Sequence, residues 1–179
     1  QGLPQLIGMF EPDDMLGLAI EEDAAARLLT QAATKQDGLA QWQLKKSPLT
    51  ESDFDNLPEQ WTVLVQNLEQ WSPELGQLWQ AFDFIPQWQR DDIMVSYAPK
   101  GGSVGKHYDD YDVFLAQGYG QRRWQLGKFC DKNTEFVADE PIRLFDDMGE
   151  IIFDEILEAA TYFMCRRNYH TLASRKMIA

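Results

Sequence analysis

Apolar residues near the start of the chain recur at helical spacing. Met15, Leu16, Leu18 and Ala19 form a stripe behind Pro12, Asp13 and Asp14, a proline and two acids suited to a first turn. The spacing predicts a helix over residues 11–29. Residues 30–51 read as irregular apart from a strand at 41–44, and Thr50-Glu51-Ser52-Asp53 offers capping chemistry for a short segment. Residues 61–79 read as a longer amphipathic helix, interrupted at Ser72-Pro73. After Pro86 the apolar runs shorten. Residues 92–97, 112–115, 122–126 and 151–153 are β-type runs separated by polar or Gly-rich turns, clearest at 100–105 and 117–121. Short strands so spaced suggest a sandwich or small barrel. Residues 1–85 thus read as mainly helical and 86–179 as a β-rich core, an α+β arrangement.

Composition narrows the classes. A chain of 179 residues, 44% hydrophobic and 12% aromatic, fits one globular domain with a real core. No apolar run reaches the roughly 18 residues needed to span a bilayer, and no signal peptide opens the chain. Cys130 and Cys165 make no disulfide framework, so a cytoplasmic setting is expected. The opening at Gln1 rather than Met suggests a fragment. A net charge of −13 opposes direct binding to nucleic-acid phosphates and suits a basic protein partner, although it also serves plain solubility.

The chemically loaded stretch is Gly105-Lys106-His107-Tyr108-Asp109-Asp110-Tyr111-Asp112-Val113-Phe114. On a strand, residues two apart share a face, so His107 and Asp109 can converge on one point. An imidazole and a carboxylate, joined by a distant histidine, make the facial triad that leaves positions open on iron(II). A surface histidine beside an acid is the plain alternative. A calcium loop on Asp109, Asp110 and Asp112 fails, lacking the mid-loop glycine and closing glutamate.

Residues 104–114, followed by Gln117-Gly118-Tyr119-Gly120 and Arg122-Arg123-Trp124, resemble in order and spacing the core of the bacterial ribosomal oxygenases, JmjC-type members of the cupin superfamily. Weaker similarity runs from Gly2 to Glu158. The resemblance implies a double-stranded β-helix, or jelly roll, with N-terminal helices packed on it. It also implies iron(II) held by His107 and Asp109, and 2-oxoglutarate anchored by Arg122, whose planar guanidinium suits a carboxylate. Strand alternation puts Arg122 on the face of Trp124 and turns Arg123 away. A hydroxyl assisting the cosubstrate is expected at 96–98; Ala98 cannot supply it, which leaves Ser96. The implied reaction is hydroxylation of a side chain, an arginine β-carbon, in a basic large-subunit ribosomal protein, with Asp110 and Asp112 facing that arginine or standing as solvated strand ends. Longer relatives carry C-terminal segments for homodimerisation. A non-catalytic cupin-type binding or scaffold domain is the rival reading, and a small-molecule oxygenase a third.

The end of the chain departs from that family. Where a closing Pro-His should complete the triad, residues 158–171 read EAATYFMCRRNYHT. His170, the only other histidine, is the sole candidate third ligand, and it lies one residue out of register. Restoring one G within the codons for Ala159 and Ala160 allows E-A-G-D-I-L-Y-V-P-P-K-L-P-H-V-G from residue 158 onward. Met164 has one codon, so the base it donates ahead of Cys165 gives valine; either Asn168 codon followed by Tyr169 gives leucine. Residues 160–179 therefore read as an out-of-frame tail, with the true ligand falling at position 171. Lacking closing alternation and carrying Arg166-Arg167, this tail is expected to be partly disordered or to pack in a non-native way, leaving the jelly roll incomplete.

Overall fold

Helix α1 (Pro12–Ala19) begins where expected, with Glu11 and Asp14 exchanging side-chain-to-backbone bonds across its first turn. It ends ten residues before the predicted terminus. Glu21, Glu22 and Asp23 would place three negative charges at the negative end of a continuing helix dipole. The chain turns instead into strand β1 (Ala26–Thr34), whose two neighbours supply the pairing that overrides local helical spacing. The structure, a computed structural model, describes residues 8–34, 40–131, 133–167 and 169–175; at 32–34, 40, 170 and 172–175 it describes the backbone alone.

Strand β2 (Ala40–Lys46) contains the predicted run at 41–44, and the capped segment after Thr50 is a single 3-10 turn, Glu51–Asp53. The helix predicted over 61–79 is not formed as such. Its first part, with Trp61, Thr62, Val63 and Val65, is strand β3 (Gln60–Val65), buried on both faces over its last four residues. A strand covered on both sides shows no apolar–polar alternation, so periodicity cannot separate it from a helix. The remainder is a 3-10 turn at Leu68–Gln70, the one-turn helix α2 (Pro73–Gly76) and a 3-10 stretch at Gln77–Phe82. Ser72 accepts a bond from the Leu75 amide at 3.2 Å, capping α2 at the predicted break. The described residues up to 85 are therefore not mainly helical. They give three strands to a four-stranded antiparallel sheet, β2-β1-β3-β4, completed by β4 (Val95–Tyr97) from beyond Pro86.

Alternation divides this sheet into two working faces. Ala26, Leu28, Val63 and Val65 pack with Met15, Ala19, Leu68, Leu75 and Leu78 of the helical layer. The other face carries Leu29, Thr62 and Leu64, all buried, and the row Arg27–Leu64–Ser96 set by strand register. That inward face meets a second set of strands. β6 (Gln121–Phe129) is flanked by β7 (Phe153–Glu158) and β9 (Tyr169–Arg175), while β5 (Val113–Ala116) pairs with β8 (Tyr162–Cys165). β7 begins at the residue where the predicted run 151–153 ends. Among the described residues, no helix is long and apolar enough to cross a membrane.

Two strands, β8 and β9, come from the segment expected to lack closing strands. Backbone pairing needs only free N–H and C=O groups, which β5 and β6 offer at their edges. Arg166 and Arg167 lie exposed between the two strands, so neither guanidinium meets the burial cost. The β7–β8 turn holds Ala160 at φ +68°, a left-handed conformation that glycine tolerates better. Ala160→Gly is expected to stabilise the protein by about 1 kcal/mol, read as a higher urea midpoint at unchanged m-value.

Candidate metal centre

The site is built on the turn that precedes His107. Gly105 has φ +81°, and a Cβ there would lie 2.5 Å from Leu144 Cδ2 and 3.1 Å from Trp42. Gly105→Ala is expected to cost about 2 kcal/mol from backbone strain and overpacking, measurable by chemical denaturation. His107 follows on a single antiparallel bridge to Thr171: its amide donates to the Thr171 carbonyl at 3.0 Å, and the Thr171 amide donates back at 2.6 Å. Residues 108–112 are irregular and β5 starts only at Val113, so the two candidate ligands do not share a regular strand. They converge nonetheless. His107 Nε2 lies 3.8 Å from Asp109 Oδ2, both side chains partly exposed. His107 Nδ1 is 3.0 Å from the Gly105 carbonyl. A carbonyl can only accept, so that contact holds the neutral ring's proton on Nδ1 and frees the Nε2 lone pair on the Asp109 side.

Tyr108, between the two ligands, stacks on Phe136 and Phe145 at centroid distances of 5.7 and 5.6 Å, and those rings stack on each other at 5.2 Å. This three-ring stack anchors an otherwise irregular segment. Phe136 and Phe145 lie in a stretch with no strand or helix periodicity, so sequence reading missed them.

Residue 171, not 170, stands opposite His107. Thr171 is 3% exposed; its hydroxyl donates to the Tyr169 carbonyl at 3.2 Å and lies 3.7 Å from Cys165 Sγ. Burial pushes the Cys165 thiol above its ordinary value, the Thr171 bond opposes that, and the Asp109 and Asp112 charges add to it. The side chain of His170 lies outside the described residues; its backbone sits one position before Thr171 in β9. Among the described residues, no three His, Cys, Asp or Glu side chains are grouped to hold a metal. The structure thus brings one imidazole and one carboxylate together, and the residue bridged to His107 is a threonine.

Arg122 projects from β6 toward the four-stranded sheet, where its Nη1 donates to Ser96 Oγ at 2.9 Å. This bond joins the two halves of the fold and provides the guanidinium and hydroxyl pair a carboxylate would need. Ala98 is buried and adds no polar group. Arg123 turns outward, as alternation requires, with Nε 2.6 Å from Asp154 Oδ1. Asp110 pairs with Arg143 at 3.4 Å on the surface, and Asp112 accepts from the Arg167 amide at 2.8 Å in the β8–β9 turn. Burial, reinforced by the Asp109, Asp92 and Asp91 charges and opposed by Arg27, pushes the Tyr111 phenol above its ordinary value, and those three carboxylates make this rim acidic. A cavity of about 240 Å³ beside Gly105 and Lys106, walled by Trp42, Leu144 and Phe145, includes none of His107, Asp109 and Arg122.

The JmjC domain model matches residues 77–172. A probable ribosomal oxygenase of Haemophilus influenzae is 64% identical over 156 residues, 87% of this chain and 37% of that protein. The ribosomal protein uL16 3-hydroxylase of Escherichia coli is 36% identical over 159 residues, 88% of this chain and 40% of that protein. The crystal structure of E. coli ycfD superposes with a TM-score of 0.81 at 34% identity, covering 94% of this chain and 43% of that one. The E. coli ribosomal oxygenase YcfD in complex with cobalt and 2-oxoglutarate gives 0.76 at 32% identity, covering 94% and 41%. The chain thus spans about two fifths of the length of these relatives. With more than half of its residues matched by that domain model and its fold shared with those structures, the chain belongs to the JmjC-domain family.

Proposed function

We propose that the chain is the core of an iron(II)- and 2-oxoglutarate-dependent oxygenase, folded as a double-stranded β-helix, that hydroxylates a side chain of a large-subunit ribosomal protein. The observation that carries this reading is the approach of His107 Nε2 to within 3.8 Å of Asp109 Oδ2, with Nδ1 engaged elsewhere. His107 and Asp109 would hold the metal. Arg122, with Ser96, would bind the distal carboxylate of the cosubstrate. When bound, iron(II) and 2-oxoglutarate would supply the electrons that activate dioxygen, one oxygen atom of which goes into an unactivated C–H bond and the other into succinate, with carbon dioxide released. The chain's own residues bind, orient and limit access of water, the last through the buried inward face of Leu29, Thr62 and Leu64. The acidic rim around Tyr111 and the net charge of −13 favour a basic target, consistent with an arginine β-carbon. Asp110 and Asp112 are each engaged through one oxygen, by Arg143 and the Arg167 amide, and keep lone pairs with which to meet that arginine.

In this chain the site is weakened. Thr171 stands in the third ligand's register, and a neutral hydroxyl already bonded to a carbonyl is a poor ligand beside an imidazole. The out-of-frame origin of the tail draws two supports from the backbone. The reading with one G restored puts a histidine at 171, the residue opposite His107, and a glycine at 160, where Ala160 has φ +68°. The rival reading, a cupin-type scaffold without catalysis, is favoured only by that same threonine.

The test is to incubate the chain and its Thr171→His variant with large-subunit ribosomal proteins, iron(II) and 2-oxoglutarate, then weigh the ribosomal proteins. A gain of one oxygen atom on one of them, with matching succinate, is expected to be weak or absent for the chain and clear for the variant. No gain with either protein would reject the oxygenase reading.

A further inference from the structure

Among the described residues, two side-chain nitrogens are fully buried without a hydrogen-bond partner, Arg27 Nε and Trp124 Nε1. Buried N–H groups are normally paired, and an orphan donor is costly enough to ask what completes it. Their positions answer together. Arg27 shares the inward row of the four-stranded sheet with Ser96, through Leu64. Trp124 lies two residues from Arg122 on β6, hence on the same inward face, at about 6.8 Å along the strand. The Arg122 guanidinium carbon is 6.0 Å from the Trp124 ring centroid, and Phe163 closes the ring's edge at 5.8 Å. Two residues further, Leu126 is paired with Thr171, which is itself opposite His107. Trp124 therefore stands midway along β6 between the Arg122–Ser96 pair and the level of the metal ligands.

We propose that the Trp124 indole N–H is a second donor to the carboxylate that Arg122 holds, and so a cosubstrate-binding residue. This rests on the oxygenase reading above. A carboxylate has about four lone-pair sites, of which a forked guanidinium takes two and Ser96 one. The indole fills the fourth. A five-carbon diacid laid from Arg122 toward His107 passes the ring, so the same contact favours a straight chain of that length over shorter 2-oxo acids that cannot reach Arg122.

The six tryptophans give six indole N–H signals in a ¹⁵N spectrum of the whole chain, and Trp124→Phe identifies one of them. Trp124 is also the only tryptophan preceded by arginine, so paired arginine and tryptophan labelling identifies its backbone amide, from which its indole signal is assigned should the variant not fold. With zinc(II) present, 2-oxoglutarate is expected to move the Trp124 signal downfield and slow its exchange with water. 2-Oxobutyrate, which lacks the distal carboxylate, should leave it in place. Trp124→Phe should weaken 2-oxoglutarate binding about tenfold, with the other five indole signals unchanged. Binding of 2-oxoglutarate with an unmoved Trp124 signal, or with equal affinity in Trp124→Phe, overturns this proposal and leaves the oxygenase reading standing. 2-Oxoglutarate bound by neither the chain nor its Thr171→His variant overturns both.

Discussion

Thr171→His is expected to tighten binding of a divalent transition metal by about 100-fold or more. Loss of a partner that merely orients a ligand typically costs 10–100-fold in affinity, so a new direct ligand should gain at least as much. The register supplies the geometry: Thr171 exchanges both backbone bonds with His107, so the two side chains stand on the same side of the bridge. Zinc(II) titration by calorimetry, or the visible bands of cobalt(II), measures the gain. Thr171→Ala serves as the reference and should differ from the parent by no more than a few-fold. In the Thr171→His background, His107→Ala should remove most of the gain, because ligands of one ion act as a unit. Thr171 is 3% exposed and touches Cys165, so Thr171→His combined with Cys165→Ala gives the larger ring room. Equal metal affinity in parent and both histidine variants would mean that position 171 does not face the metal.

The second large effect is at Arg122. Arg122→Ala should lower 2-oxoglutarate affinity by about 100-fold or more, since each hydrogen bond to a charged group is worth about 1.5–3 kcal/mol and a fork makes two. Arg122→Lys should recover part of that loss, near tenfold below the parent, because an ammonium keeps the charge and loses the planar fork. Ser96→Ala removes a single hydroxyl and should cost only a few-fold. Anaerobic calorimetry with metal present reads all three, and melting curves show whether the variants remain folded. Removal of Arg122 also breaks the 2.9 Å bond between the two halves of the fold, so some loss of stability accompanies the loss of affinity. Undiminished 2-oxoglutarate binding by Arg122→Ala would place the anchor elsewhere.

The two halves of the chain differ in how far local pattern predicts structure. Beyond Pro86 the short runs bounded by glycine-rich turns became β4, β5 and β6 close to their predicted bounds, because turn residues with special backbone needs punctuate them. Before Pro86 the same reading took β3 for helix. Val63 and Val65 pack on the helical layer while Thr62 and Leu64 face inward, so the strand is buried on both faces and shows no apolar–polar alternation. β1 was hidden similarly: Ala26, Leu28 and Leu29 fit a helix stripe until β2 and β3 are there to pair with.

The chemistry followed a related division. Residue type and spacing made His107 and Asp109 candidate metal ligands, and the resemblance alone brought in Arg122 and Ser96. Strand alternation was enough to send Arg122 inward and Arg123 to Asp154. Tertiary structure alone decided the rest. It curved an irregular segment so that His107 and Asp109 still converge, braced it by stacking Tyr108 on two distant phenylalanines, and formed the backbone bridge from His107 to residue 171, the position the codon reading had already marked. It also left the Trp124 N–H buried without a partner. Composition and periodicity report what one segment prefers by itself. Register, stacking and an orphan donor each depend on groups far apart in the chain, and those meet only once the sheets close on each other.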